Sequence, residues 1–194
     1  VKAGEKFTFE DSKFLTVAGN VIDTNSPGEV EFNNCYAAGT GDAFAKIDEI
    51  GTLSLNNVYF QAQTEELLAE GGEEYGWRGH YFFKRMDGDR SLTPEVVCND
   101  VVACRTSIAA VEARSDRNLA LSGGNSGPIA LYDITYDPDK NNQKEGFHEN
   151  TNDSSITFDV GEISFHDSFE TIFEMDSGGG AIETLNYGGT AGMG

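Results

Sequence analysis

Two segments of the chain, Gly28–Phe32 (GEVEF) and Gly51–Leu55 (GTLSL), repeat one pattern 23 positions apart. Each opens on glycine, alternates polar and apolar residues, and runs into an asparagine pair, Asn33-Asn34 or Asn56-Asn57. Alternation with a period of two is the signature of a strand with one buried face. A 23-residue repeat of this kind fits one coil of a β-solenoid, in which short strands meet at tight corners and equivalent side chains stack. Asparagine suits such corners because it tolerates the left-handed backbone region. Gly161–Phe165 (GEISF) reads as a further echo, with Gly179-Gly180-Ala181-Ile182 after it.

Other short runs with strand character are Lys6–Glu10, Phe14–Val17, Tyr81–Phe83, Ile129–Tyr136, Ile156–Val160 and Thr171–Phe173, each bounded by turn residues. Val96–Ala113 reads as strand, although Ser107–Arg114 also carries helical features. Gln63–Gly72 is the best helix candidate, with Thr64 as its cap and Gly71-Gly72 as its stop. Recurrent short strands with turn signals predict an all-β fold. A parallel β-solenoid, a right-handed β-helix, is favoured; an antiparallel β-sandwich is the alternative. No linker divides the chain, so residues 1–194 form one domain. Residues 63–89 are a candidate insertion, and residues 137–153 read as a long exposed acidic loop.

The repeat resembles the passenger repeats of the polymorphic membrane proteins, an autotransporter group of parallel β-helices. Those repeats carry a Phe-x-x-Asn element followed by Gly-Gly-Ala and an aliphatic residue. Here Phe32-Asn33-Asn34-Cys35 precedes Gly41-Asp42-Ala43-Phe44, and Phe165-His166-Asp167-Ser168 precedes Gly179-Gly180-Ala181-Ile182. Only the last tetrapeptide is intact. The resemblance implies a surface-exposed, adhesive, non-enzymatic passenger fragment.

Charge narrows the partners. The chain holds 33 acidic residues against 13 basic, a formal net charge of −20. Such a surface repels nucleic-acid phosphates and anionic membranes. It serves solubility, or a divalent cation, or a cationic partner. No apolar run reaches the ~20 residues that span a bilayer. The opening Val1-Lys2-Ala3-Gly4 reads as a processed N-terminus. Cys98 and Cys104 lie six apart and are a disulfide candidate; Cys35 is then a buried small hydrophobe or an intermolecular thiol. Acidity, glycine content and the close cysteine pair point to a secreted or cell-surface protein.

Three constellations bear on ligands. Asp137, Asp139, Asn141 and Gln143 place oxygen ligands at alternate positions, as a calcium loop does. The EF-hand pattern fails, because Asn142 stands where glycine is needed and His148 where the acidic ligand is needed. Tyr75, Trp77 and Tyr81 belong to the densest ring cluster and are candidates for a carbohydrate or protein platform; buried, they would be ordinary core. A polysaccharide-active β-helix enzyme would use Arg105 or Arg114, but no motif assigns a catalytic residue. The expected function is that of an extracellular, non-enzymatic structural or adhesive protein, a surface passenger or self-assembling filament subunit. Its partners would be further copies of itself, another cell-surface protein or a glycan. A carbohydrate-binding β-sandwich module with structural calcium is the first alternative.

Overall fold

The computed structural model describes residues 4–17, 19–24, 28–49, 51–62, 79–106, 109–133, 145–149, 153–167, 169, 171–175 and 178–187. Every regular element among them is a strand: β1 (Lys6–Glu10), β2 (Lys13–Val17), β3 (Ile22–Thr24), β4 (Glu29–Thr40), β5 (Ala43–Ile47), β6 (Thr52–Gln61), β7 (Tyr81–Arg85), β8 (Glu95–Cys104), β9 (Ala109–Ala113), β10 (Asn118–Gly123), β11 (Ile129–Asp133), β12 (Glu145–Glu149), β13 (Ser155–Asp167), β14 (Thr171–Glu174) and β15 (Gly178–Tyr187).

The strands form two sheets. The first has the order β1-β4-β6-β8-β10-β13-β11, with β2 also on β4, β11 also on β8, and β15 on β13. The second has the order β14-β12-β9-β7-β5-β3. All pairings among the described residues are parallel. The antiparallel pairing that a sandwich requires is therefore not what these strands adopt. The chain visits the two sheets in turn, β4 then β5, β6 then β7, β8 then β9. Antiparallel hairpins are ruled out by that route, since a parallel neighbour needs a crossover.

The repeat read from the sequence is the register of the first sheet. Val30 pairs Leu53 and Phe32 pairs Leu55. The same offset runs backward, with Phe7 on Val30 and Phe9 on Phe32. Forward, Leu53 pairs Val96, after a longer excursion. The asparagine pairs occupy the predicted corners. Asp11, Asn34, Asn57 and Asp100 have φ of 48°, 54°, 52° and 54°, all left-handed, and each marks the bend between two halves of a strand or strand pair. The GEISF echo is out of register: Ile163 continues the column of Ile129 and Val101, not that of Val30. Its resemblance to GEVEF reflects shared alternation alone.

Two further expectations change. Tyr81–Arg85, inside the candidate insertion, is an integral strand between β5 and β9. Glu145–Glu149, inside the expected acidic loop, is strand β12, and Phe147 within it is fully buried. Only one residue of that segment is strongly apolar, so its alternation was silent; pairing with β9 and β14 makes it a strand. The helix expected at 63–72 lies outside the described residues.

The core fills the space between the sheets. Phe9 stacks on Phe32 at 4.8 Å between ring centroids, Phe32 meets Phe44 edge-on at 5.2 Å, and Phe60 stacks on Phe82 at 5.2 Å. Parallel neighbours sit ~4.8 Å apart, so a ring overfills its own layer. Small residues in adjacent layers absorb the excess: Phe60 lies between Ala37 and Ala103 in one column. Burying each such ring contributes about 1.5–3 kcal/mol.

Candidate functional site

The outer face of the first sheet carries a ladder of aromatic rings. Strand alternation turns Phe60 inward and therefore Tyr59 outward, and the parallel register sets Tyr36 beside Tyr59. Their rings stack with centroids 5.4 Å apart and planes 10° apart. Two strands further on, Tyr132 stacks on His166 at 4.2 Å and 9°. Between the stacks runs β8, which pairs β6 on one side and β11 on the other and presents Val102 and Cys104. Tyr36 covers one face of Tyr59, and His166 covers one face of Tyr132. The remaining faces both look toward β8, that of Tyr59 beside Val102 and that of Tyr132 beside Cys104, so they are offset by two residues, about 7 Å, along the strand direction as well as by two strand spacings. Tyr59 is 40% exposed. Its hydroxyl lies 3.5 Å from Cys104 Sγ, and burial followed by that contact pushes the phenol up to about 12.

The second sheet carries a charged seam. Asp23, Lys46, Lys84, Glu112, His148 and Glu174 pair in register across β3, β5, β7, β9, β12 and β14. Lys84 Nζ donates to Asp42 Oδ2, and Lys46 Nζ lies 2.8 Å from Asp48 Oδ2. Arg114 Nε donates to Glu112 Oε1, while its Nη2 is 3.2 Å from the Tyr81 hydroxyl. His148 Nδ1 lies 3.7 Å from Glu112 Oε1. Glu112 is wholly buried, and Lys84 and His148 nearly so. Burial lowers the His148 pKa, whereas the bond to Asp48 raises that of Lys46. Lysine and arginine charges in this seam are neutralised by neighbouring carboxylates, an arrangement that holds strands together.

The residues singled out in the sequence fare differently. Tyr81 is buried beside Ala43 and Ala109 and is no exposed platform. Tyr75 and Trp77 lie outside the described residues, as do Asp137, Asp139, Asn141 and Gln143. Among the described residues no group of three His, Cys, Asp or Glu side chains could hold a metal ion. The Cys98–Cys104 disulfide is not formed: all three cysteines are free and buried. Both members lie on strand β8, on either side of the Asp100 corner, with Cys98 in the inward column of Leu55 and Cys104 in the outward column of Gln61, so their side chains leave opposite faces of the sheet. Burial pushes the Cys98 thiol up. Arg114 enters the seam as the partner of Glu112.

Sequence reasoning missed the aromatic ladder although its signal was present. Tyr36 and Tyr59 are separated by the repeat length and sit inside the very stretch that revealed it. The seam had no such signal, because its members fall on strands joined by connections of unequal length. Comparison of the chain with protein-family models, with curated proteins and with solved structures finds no match.

Proposed function

We propose that the chain is an extracellular, non-enzymatic structural or adhesive protein, built as a right-handed parallel β-solenoid. Support for the solenoid comes from alternation of the chain between two all-parallel sheets at a repeating register offset. Right-handedness follows from the strong bias of parallel crossovers. With no disulfide, the extracellular placement rests on acidity and glycine content.

The observation that carries the adhesive reading is the pair of ring stacks flanking β8. The open faces of Tyr59 and Tyr132 lie diagonally across β8, so each offers a separate stacking position, suited to two sugars of one oligosaccharide. Val102 adjoins the Tyr59 position and Cys104 the Tyr132 position, and the tyrosines add hydroxyls beside them. A glycan is the partner of this chemistry, because aromatic faces pack sugar C–H surfaces without needing charge. The test is binding to an oligosaccharide array by wild type, Tyr59→Ala and Tyr132→Ala. Binding that falls tenfold or more in both variants supports the reading. Wild type that binds no glycan, or variants that bind as wild type does, sinks it. The solenoid has its own test in solution: interstrand nuclear Overhauser contacts should link Val30, Leu53 and Val96 in a parallel pattern.

A further inference from the structure

Among the described residues, three of the four large apolar side chains that are strongly exposed lie on the strands at the two ends of the first sheet: Phe7 at 55%, Leu15 at 61% and Leu185 at 48%. Phe7 and Leu185 belong to inward columns. Leu185 continues the column of Cys35, Val58, Val101, Ile129 and Ile163, all buried. Phe7 heads the column of Val30, Leu53, Val96 and Leu121, also buried. These side chains are exposed because no strand among the described residues pairs with the outer edge of β1, β2 or β15. Each end therefore presents a cross-section of the core together with a row of open backbone hydrogen-bonding groups.

We infer that copies of this chain stack head to tail, with β15 of one copy adding in parallel to β1 and β2 of the next. This rests on the solenoid reading. The two ends fit each other in two respects. Direction agrees: all strands of the sheet run parallel, so a second copy extends the ladder without reversal. Volume agrees along the columns. Phe7 would meet Gly180, where φ is +128° and a Cβ would collide with the Phe158 carbonyl, so a large ring faces a position with no side chain. In the next columns Phe9 would meet Ile182, and Phe14 would meet Tyr187. Charge opposes the contact at one point: in this register Glu10 would meet Glu183, a like pair, whereas Lys6 would meet Gly179 and Lys13 would meet Asn186. The contact is heterologous and does not close on itself, so it generates a filament. The net charge of −20 also opposes stacking at long range and is screened by salt, so assembly should increase with ionic strength.

The experiment is light scattering and negative-stain imaging of the 194-residue chain across salt concentration, with Phe7→Asp and Leu185→Asp as blocked variants. Wild type should form species of rising mass, at least about twofold heavier in high salt than in low salt once the Debye length falls to a few ångströms. Each variant alone should stay monomeric. An equimolar mixture should stop at dimers, because Phe7→Asp keeps an intact β15 and Leu185→Asp an intact β1. Register is checked with Thr8→Cys plus Ala181→Cys and a short bismaleimide, which should yield an intermolecular ladder. Wild type, whose cysteines are buried, should yield none. Monomeric wild type at every salt concentration, or a mixture that polymerises as wild type does, overturns the inference. A monomer that retains the parallel contacts among Val30, Leu53 and Val96 overturns stacking and leaves the solenoid standing; loss of those contacts overturns the solenoid itself.

Discussion

Arg85 shows how much one side chain can hold in this architecture. It is fully buried, yet among the described residues its guanidinium has no carboxylate as a hydrogen-bond acceptor. Nη1 donates to the carbonyls of Leu92, at 2.8 Å, and Asn118, and Nη2 donates to that of Asp89, at 2.8 Å. The residue thus pins the turn after β7 to the start of β10. Burial lowers its pKa, and Arg117 adds to that. Arg85→Met keeps the stem and deletes the donors, leaving three carbonyls to find water. It should cost about 3 kcal/mol, read as a fall in Tm of about 6–12 °C for a chain of this size. An unchanged Tm would show that the carbonyls are satisfied without it.

His148 makes the seam sensitive to acid. Groups packed around it include Glu112 and Arg114 from β9 and its flank, Glu174 from β14 and Glu149 from its own strand. Desolvation dominates and lowers its pKa below the ~6.5 of an unfolded histidine. Between those values the unfolded chain binds the extra proton, so stability is present above ~6.5 and declines as pH falls toward the folded value. Melting followed from pH 7.5 to 5 should show that decline, and His148→Gln should flatten it. A variant with the wild-type slope would assign the acid sensitivity to the carboxylates.

At the scale of the element, the long strands depend on their asparagine corners. Asn56 Nδ2 donates to Asn33 Oδ1 at 3.0 Å, Asn99 Nδ2 to Asn56 Oδ1 at 3.5 Å, and Asn57 Nδ2 to Asn34 Oδ1 at 2.8 Å. The ladder exists because the parallel register brings like residues together in successive layers. Asn57 also occupies the left-handed region, which costs a residue with a Cβ about 1–2 kcal/mol. Asn57→Ala loses the bond and keeps the backbone penalty, whereas Asn57→Gly loses only the bond. Urea denaturation should rank stability as wild type, then Asn57→Gly, then Asn57→Ala, with the last about 1–2 kcal/mol below wild type. Alanine equal to or above glycine would remove the strain argument. Both asparagine corners were legible in the sequence, since Asn-Asn after a strand run is an unusual place to put two residues of low strand propensity. Strand β12 was not legible, because one phenylalanine in five residues sets no period.

Over the whole molecule, stability and binding both follow from columns. An inward column buries each apolar residue beneath the layers on either side, so only end members are exposed. An outward column sets identical or similar rings face to face, and its open faces occur where a ring gives way to a small residue, as at Val102. The two proposed surfaces are the interruption of an outward column and the termination of inward ones. They are separable experimentally: Tyr59→Ala should spare assembly, and Leu185→Asp should spare glycan binding.

The amino-acid sequence by itself determined the all-β class, the alternation that divides inward from outward residues, and the 23-residue offset with its asparagine corners. Those are local properties, carried by neighbouring residues and by one repeat distance short enough to see. Tertiary structure alone decided which strands share a layer once the connections lengthen. It keeps the cysteines of β8 apart, places GEISF one half-strand out of register, buries Tyr81, and gathers Lys46, Lys84, Glu112 and His148 into one seam. The physical reason is that parallel pairing joins residues separated by a full circuit of the chain. When circuits differ in length, sequence spacing no longer measures distance between layers.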